Sequence, residues 1–428
     1  MLVARRIASL PGIRDASALL ATDANRRLLI GMGYGDQGRD REFAAAGPND
    51  LVLALEGEEP AVDAVIASAD GYFARGSTAD GAPAPEPRSI AEAVAARPDC
   101  SVAVISVPGE YAAREARAAL QAGLHVFLFS SNVSVEDERS LKSEARQRSL
   151  ILMGPDCGTA YLSGAGIGFA NVVRRGAIGI VGATGTGMQE FSSLVHRAGS
   201  GISHGIGTGS RDLSDAIGGI STLTAIDALE ADAETKVIAV LSKPPGASAS
   251  AALAQRLAQC TKPCVSCLLG AEEQSLFTID DAVRAALREA GEKEPAFLRT
   301  DARTLRERAA AEIGKMHHDQ RHVRGLFAGG TLCYQAQAIF RRSGVPVYSN
   351  APLHAARELP DANRSQETTF LDMGAELFVK GRPHPMIDAT QRKRRLEQEG
   401  KDPTVAVVLL DFILGAIASR DPVGDLRG

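Results

Sequence analysis

A regular alternation of short apolar runs with helix-forming segments, beginning at Ser89, constrains the fold most strongly. Residues 101–107, 125–130 and 150–153 are apolar runs of strand length, and the segments between them have helical character. Buried strands joined by helical crossovers are typical of a parallel sheet with helices on both faces. We therefore predict a doubly wound α/β architecture from residue 89 onward.

The same patterns divide the chain into five segments. Residues 1–75 mix predicted helices with two predicted strands, which indicates a small α+β domain. Residues 76–88 are rich in proline, glycine and alanine, which is typical of a linker. We predict a Rossmann-like unit over residues 89–176, followed by two further α/β units over 177–300 and 301–428.

Composition and charge exclude several classes of protein. Apolar residues make up 45% of the 428 residues, charged residues make up 23%, and the net charge is −5. A nucleic-acid-binding face needs clustered basic residues, and the one basic run, residues 392–395, is followed by glutamates. Without a signal peptide or an apolar stretch of 18 residues, we expect no membrane contact and a cytoplasmic protein. The six cysteines are then free thiols.

Two glycine-rich turns carry the clearest chemical signal. Each follows a predicted strand and opens a predicted helix, so that backbone N–H groups and the helix dipole favour an anion there. The predicted phosphate- or substrate-binding residues are Thr184, Gly185, Thr186 and Gly187 in the first turn, and Gly329, Gly330 and Thr331 in the second. The alternative is a pair of tight turns that bind nothing. The features around the two turns recur in the same order, which predicts two related lobes with a site between them.

Charged residues follow other predicted strands, where ligands bind in open α/β sheets. Lys243 follows the strand at 237–241, Arg211 ends a glycine-rich stretch, and Asp411 follows the last strand. We assign Lys243 and Arg211 as catalytic candidates that hold an anion, and Asp411 as a substrate-binding candidate. The alternative for Lys243 is an ordinary surface lysine.

No metal site is predicted. Cys260, Cys264 and Cys267 have the spacing of an iron–sulfur loop, but Cys264 and Cys267 fall on a predicted buried strand and would face opposite sides of it. The eight histidines show no metal-ligand spacing, although His204 and His384 lie in loops that can approach the site.

Several motifs resemble those of succinyl-CoA synthetase. Gly154-Pro-Asp-Cys157 looks like the Gly-Pro-Asn-Cys motif of its α subunit, residues 179–186 resemble the start of its phosphate-binding helix, and residues 330–336 resemble the matching helix of the CoA-ligase lobe of its β subunit. The resemblance, which runs from about residue 89 to 428, implies a Rossmann-like CoA-binding-type domain followed by two flavodoxin-like CoA-ligase-type domains. It marks Gly154, Pro155, Asp156 and Cys157 as a CoA-type motif.

Further stretches are similar to the FdrA family of acyl-CoA-synthetase-like proteins. They are residues 168–176, which contain the candidate substrate-binding residue Asn171, and residues 205–213 and 381–388. This resemblance also covers the additional N-terminal domain.

The chain departs from the synthetase where that enzyme carries its phosphohistidine. The equivalent stretch, residues 262–275, contains no histidine, and Lys243 stands where the synthetase has the glutamate that orients it. We therefore expect no phosphohistidine intermediate. Replacing an acid by lysine predicts a more electropositive pocket, suited to a free anion or an acyl phosphate.

The FdrA resemblance implies a subunit of an oxamate carbamoyltransferase, which interconverts oxalurate and phosphate with oxamate and carbamoyl phosphate. It implies phosphate or carbamoyl phosphate as ligand and other protein subunits as partners in a hetero-oligomer. CoA stays a possible ligand, although the synthetase's first βα unit, whose glycine turn holds the CoA phosphates, has no clear counterpart in this chain. Two alternatives remain open: an acyl-CoA synthetase of the NDP-forming type, and a non-catalytic scaffold or regulatory subunit.

Overall fold

The structure is a computed structural model. It describes residues 2–8, 10–21, 25–26, 29–30, 34, 43, 45–47, 50–73, 87–270, 276–298, 301–379, 383–415 and 418–427. Most of the predicted linker and residues 271–275 lie outside the described residues. The chain divides into two compact units, which are Met1–Glu86 with Val379–Pro383, and Pro87–Phe378 with His384–Gly428.

The first unit is a small α+β arrangement, as predicted. Its strands β1 (Ile13–Leu20) and β2 (Leu51–Gly57) pair antiparallel. The described helices are α1 (Leu2–Ala8), α2 (Glu59–Ala67) and α3 (Ala69–Phe73). Ile7, Ile13, Ala16 and Val65 form its buried core.

The second unit contains three sheets. The strands are β3 (Val102–Ile105), β4 (His125–Leu128), β5 (Leu152–Met153), β6 (Thr159–Leu162), β7 (Ala165–Gly168), β8 (Arg175–Gly182), β9 (Ile202–Gly207), β10 (Val237–Ser242), β11 (Cys264–Leu268), β12 (His322–Phe327), β13 (Tyr348–Ser349), β14 (Thr369–Asp372) and β15 (Val405–Leu410). Strands β3–β5 form a parallel three-stranded sheet. The other sheets have the orders β11-β10-β8-β9-β6-β7 and β13-β14-β12-β15.

Helices connect the parallel strands, as the alternation predicts. They are α4 (Ile90–Ala96), α5 (Gly109–Gln121), α6 (Val135–Gln147), α7 (Gly185–Arg197), α8 (Ile220–Ala231), α9 (Ala247–Ala258), α10 (Ile279–Glu289), α11 (Ala302–Ile313), α12 (Gly330–Arg342), α13 (Glu376–Val379) and α14 (Thr390–Glu399). Met188, Phe191 and Val195 show why α7 forms: they share one helical face, which packs into the core of the six-stranded sheet.

The six-stranded sheet places the first glycine turn at a switch point. Its parallel strands follow the order β9-β8-β10-β11. Strand β9 therefore lies on one side of β8, and β10, which follows β9 in the chain, lies on the other side. A crevice opens outside the carboxyl ends of the strands at such a point. The turn after β8 and Lys243 after β10 therefore lie at one crevice.

One predicted boundary does not coincide with a structural one. Strands β6 and β7, within the segment 89–176, form a hairpin that pairs with β9 and extends the sheet of the next segment. The sequence analysis missed this hairpin. Its turn residues Ser163 and Gly164 both have positive φ, as a two-residue hairpin requires, but the strands lack a clear apolar alternation.

In the four-stranded sheet, β12 lies between β14 and β15, and all strands are parallel. This order puts the second glycine turn, which follows β12, between the carboxyl ends of two neighbouring strands. Among the helices that the structure describes, none combines the length and apolar character needed to cross a membrane.

Candidate active site at two facing helix starts

The first glycine turn leaves the start of α7 open. Thr184 takes the N-cap position in extended conformation, and among the described residues no side chain caps the helix. The first turn of α7 contains no acidic residue. Its leading N–H groups and the helix dipole therefore present partial positive charge to the crevice.

Thr159 adds a buried hydroxyl group at the same place. Its side chain is 1% exposed, and its Oγ1 has no hydrogen-bond partner in the part of the chain that the structure describes. A Cβ atom on Gly185 would lie 3.5 Å from this oxygen. A buried hydroxyl without a partner is energetically costly, so Thr159 and the start of α7 together favour a polar ligand.

The two glycine turns meet through their threonines. Thr186 Oγ1 donates a hydrogen bond of 2.9 Å to Thr331 Oγ1, and the hydroxyl groups of Thr184 and Thr331 are also hydrogen-bonded. A Cβ on Gly187 would lie 3.0 Å from the Thr331 methyl group. Glycine at this position lets the starts of α7 and α12 approach.

The second turn is already occupied by a side chain of the protein. Asp411 accepts hydrogen bonds of 2.7 Å from the N–H groups of both Ala328 and Gly329, and its Oδ1 is 2.8 Å from Arg392 Nη2. Burial raises the pKa of Asp411, and Arg392 opposes that shift. The Asp411 carboxylate therefore occupies the backbone N–H groups of the second turn. A ligand could use the anion-binding role predicted for Gly329 only by displacing this carboxylate.

Lys243 lies beside the carboxylate of Asp372. The Lys243 Nζ atom is 3.9 Å from Asp372 Oδ2 and 4.9 Å from the centre of the Tyr334 ring. A Cβ on Gly330 would lie 2.5 Å from Asp372 Oδ2 and 3.1 Å from Lys243 Nζ. The crevice is thus not simply electropositive, because Lys243 has Asp372 as an acidic neighbour. The sequence analysis did not predict this neighbour.

The pKa of Asp372 is itself shifted. It is 4% exposed, and burial raises its pKa, while Lys243 acts in the opposite direction. The sequence held one signal for Asp372: like Asp411, it follows an apolar run and stands at the end of a strand.

The CoA-type motif forms the turn after β5. Gly154 and Pro155 are joined by a cis peptide bond, and Asp156 has φ 57. The Asp156 carboxylate reaches solvent but is closely surrounded by protein, which raises its pKa, and Ser210 Oγ donates a 3.2 Å hydrogen bond to it. Cys157 is buried, which raises its pKa to about 12. At neutral pH the Cys157 thiol is therefore protonated and shielded.

Arg211 binds other protein groups. Its Nη2 donates a 2.7 Å hydrogen bond to the Val133 carbonyl and lies 2.9 Å from Glu138 Oε2. Glu138 also pairs with the fully buried Lys142, which in turn binds Asp212. Asp156 lies near both Arg211 and Lys243, whose charges oppose the rise that burial causes in its pKa. The direct contacts of Arg211, however, are with Val133 and Glu138. Arg211 belongs to an ion network between α6 and the segment after β9.

Asn171 supports the middle of α7. Its side-chain amide donates to the Gln189 carbonyl at 3.3 Å and to the Ser193 hydroxyl, and its backbone N–H donates to Tyr161. The two side-chain contacts are to residues beyond the first turn of α7. Asn171 therefore helps to position α7 and does not line the start of this helix.

His384 approaches the turn that follows Asp372. A Cβ on Gly374 would lie 2.7 Å from its Nε2 atom. Burial lowers its pKa to about 4, and its Nδ1 accepts a 3.3 Å hydrogen bond from Met386 N–H. The ring is therefore neutral at pH 7 with its proton on Nε2.

Known proteins resemble this chain in sequence. Residues 173–267 match the model of a CoA-binding domain, residues 326–427 match that of the CoA-ligase domain, and residues 1–87 match that of the heavy metal-associated domain of AllF. The protein YahF of Escherichia coli (strain K12) is 41% identical over 434 residues, covering 99% of this chain and 83% of YahF. The chain belongs to the FdrA family of acyl-CoA-synthetase-like proteins. The predicted α/β fold with CoA-ligase-type domains is confirmed.

Solved structures match parts of this chain at low identity. ATP citrate lyase from Methanothrix soehngenii, in complex with citrate and coenzyme A, is 23% identical over 52% of this chain and 41% of its own, with a TM-score of 0.39. The apo form of dinucleotide-forming acetyl-coenzyme A synthetase 1 from Ca. Korarchaeum cryptofilum is 16% identical over 76% of this chain and 71% of its own, with a TM-score of 0.34.

The N-terminal segment does not fit a heavy-metal site of the usual chemistry. Residues 1–87 contain no cysteine and no histidine. Heavy and soft transition metals are held in proteins mainly by thiolate and imidazole ligands. The FdrA-type N-terminal domain of this chain therefore lacks the donor set that the name of its family model suggests.

Proposed function

We propose that this FdrA-family chain is a subunit of an oxamate carbamoyltransferase and binds the phosphate group of its substrate at the start of α7. The reaction interconverts oxalurate and phosphate with oxamate and carbamoyl phosphate. The observation that carries the proposal is the start of α7, which Thr184 leaves without a side-chain cap, with Lys243 at the neighbouring strand end. Beside it lies the Thr159 hydroxyl, which has no hydrogen-bond partner in the described part of the chain.

The proposed reaction is a direct displacement. A hydrogenphosphate oxygen attacks the carbamoyl carbon of oxalurate, and the bond from that carbon to the nitrogen that it shares with the oxalyl group breaks. That nitrogen takes the proton that the phosphate gives up, which yields oxamate and carbamoyl phosphate. Positioning of phosphate by backbone N–H groups and Lys243 supports this step without a covalent intermediate. The absence of histidine from residues 262–275 agrees with it.

The second candidate is an acyl-CoA synthetase of the acid–thiol ligase type. The matches to CoA-binding and CoA-ligase models favour it. The CoA-binding match covers residues 173–267, which include the glycine turn before α7, so this candidate would place a phosphate of CoA at the same helix start. We rank the acyl-phosphate function first because residues 262–275 contain no histidine that could carry a phosphoryl group.

Calorimetric titration of the full chain with phosphate, carbamoyl phosphate and CoA tests the proposal. We expect phosphate and carbamoyl phosphate to bind, and Lys243→Ala to weaken both at least about tenfold, as loss of a charge-assisted contact predicts. Lys236→Ala is the matched control, since exposed Lys236 precedes the same strand at its opposite end.

Three results would contradict the proposal. The first is binding of CoA without binding of phosphate, which would favour the ligase. The second is an equal effect of the Lys243 and Lys236 variants, which would make the effect one of net charge alone. The third is unchanged carbamoyl transfer by the Lys243→Ala chain after reconstitution with its partner subunits, which would favour a scaffold.

A further inference from the structure

Asp372 is almost wholly buried, and its carboxylate lies beside Lys243 and the start of α12. Its Oδ1 accepts a 3.0 Å hydrogen bond from Gly374 N–H. Its Oδ2 is paired with Lys243 Nζ at 3.9 Å, which is beyond hydrogen-bond distance. Unlike the Thr159 hydroxyl, Oδ2 is not sealed from the crevice. A ligand that displaces solvent there can therefore supply the donor of a direct hydrogen bond.

Asp411 shows the contrasting arrangement in the same sheet. Asp411 and Asp372 follow or end the two strands that flank β12, and both are buried. Both oxygens of Asp411 accept hydrogen bonds from backbone N–H groups, and Arg392 completes its shell. Asp411 thus closes the second glycine turn, whereas Asp372 faces the crevice beside Lys243.

Contacts across the crevice connect Asp372 to the first turn. A Cβ on Gly329 would lie 3.1 Å from Thr186 Cβ, and a Cβ on Gly330 would lie within 3.1 Å of both Asp372 and Lys243. Thr186 at the start of α7, Asp372 and Lys243 are therefore all neighbours of one two-residue segment, Gly329 and Gly330, at the start of α12.

We propose that Asp372 Oδ2 accepts a hydrogen bond from the amino group of the acyl phosphate and so selects carbamoyl phosphate over acetyl phosphate. This inference rests on the proposed function, because it takes the phosphate group to lie at the start of α7. The carbamoyl NH2 group donates hydrogen bonds, whereas the acetyl methyl group has no donor. A methyl group there would displace solvent from Oδ2 without replacing its hydrogen bond, and a site of this kind rejects an analogue that lacks the hydrogen-bonding group.

Lys243 allows an anionic ligand to bind beside the Asp372 carboxylate. An isolated carboxylate would repel a phosphate-bearing molecule, but the ammonium group at 3.9 Å balances the Asp372 charge. The two side chains therefore divide the ligand between them. Lys243 favours its anionic end, and Asp372 favours its amino end.

Two stable ligands that differ in one group provide the test. Phosphonoacetamide carries an amino group where acetonylphosphonate carries a methyl group, and both keep the phosphonate and the carbonyl. We expect the full-length chain to bind phosphonoacetamide about 10- to 100-fold more tightly in calorimetric titration, as a charge-assisted hydrogen bond predicts. Asp372→Ala should reduce this preference to within about twofold. Asp372→Asn, whose amide oxygen can still accept, should retain part of it.

The outcomes separate the two proposals. Binding of both phosphonates with equal affinity by the unaltered chain, or an undiminished preference in Asp372→Ala, overturns the role of Asp372 and leaves the phosphate site standing. Failure of the unaltered chain to bind phosphate or either phosphonate overturns both. Exposed Asp361→Ala is the control for loss of one negative charge in the same lobe. If Asp372→Ala does not fold, the ratio measured with Asp372→Asn and with the unaltered chain still decides.

Discussion

Thr186 donates a 2.9 Å hydrogen bond to Thr331, a residue 145 positions further along the chain. Each threonine lies in the first turn of a helix that follows a strand and a glycine-rich turn. The contact therefore joins equivalent places in two lobes whose features repeat along the sequence. It also fixes the start of α7, which we propose as the phosphate site, against the start of α12.

Two glycines of α7 should respond differently to the same substitution. Gly187→Ala would place a Cβ 2.8 Å from a Thr184 methyl group and 3.0 Å from that of Thr331, so we expect a loss of about 1–3 kcal/mol in the free energy of unfolding. Gly185→Ala meets only Thr159 Oγ1 at 3.5 Å and should leave stability within about 1 kcal/mol. Its methyl group would cover the anion site and reduce phosphate affinity. Urea denaturation and calorimetry measure the two effects, and reversed effects would contradict this assignment.

Alanine substitutions of Arg211 and Lys243 should have different effects, the first on the free energy of unfolding and the second on phosphate binding. Arg211→Ala removes a partner of the buried Glu138 carboxylate, so we expect a loss of about 1–2 kcal/mol and phosphate affinity within about twofold of the unaltered chain. Lys243→Ala should weaken phosphate binding with a smaller effect on the unfolding midpoint. If Arg211→Ala instead abolished binding while the fold stayed intact, the catalytic role first predicted for Arg211 would be supported.

The buried pair of Asp411 and Arg392 should contribute strongly to the stability of the lobe that contains strands β12–β15. Asp411→Ala leaves the Arg392 guanidinium buried without its carboxylate and frees two N–H groups, so we expect a loss of about 3–5 kcal/mol. Glu307→Ala, which breaks the exposed pair with Arg303, is the control and should cost less than about 1 kcal/mol. Thermal unfolding of both variants measures the difference, and similar midpoints would show that the buried pair is dispensable.

Because His384 is buried, the free energy of unfolding should depend on pH. Burial lowers its pKa from 6.5 to about 4, so below pH 6.5 the unfolded chain binds a proton that the folded chain does not. Its contribution to stability is therefore complete above pH 6.5 and is lost as the pH falls from 6.5 to about 4, by up to about 3 kcal/mol. The measurement is the difference in unfolding free energy between the unaltered chain and His384→Gln at pH 7.5 and pH 5. A difference that does not shrink on acidification would show that His384 is already protonated in the folded state.

Much of the fold follows from local patterns. The apolar run that forms β10 and the glycine turns before α7 and α12 predict buried strands and helix starts, because periodicity and backbone freedom act over a few residues. The β6–β7 hairpin was missed, since its strands lack that periodicity and its pairing partner β9 lies some 40 residues further along the chain.

The sequence by itself determined the α/β class, the repeated strand–turn–helix units and the lack of a histidine in residues 262–275. Only the tertiary structure decided which charges meet. Arg211 pairs with Glu138, Asp411 closes the second glycine turn, and Lys243 pairs with Asp372. The Thr159 hydroxyl has no hydrogen-bond partner among the described residues. Strand order brings residues together that are far apart in the chain. Whether a polar group is satisfied depends on those distant neighbours, which local propensity does not encode.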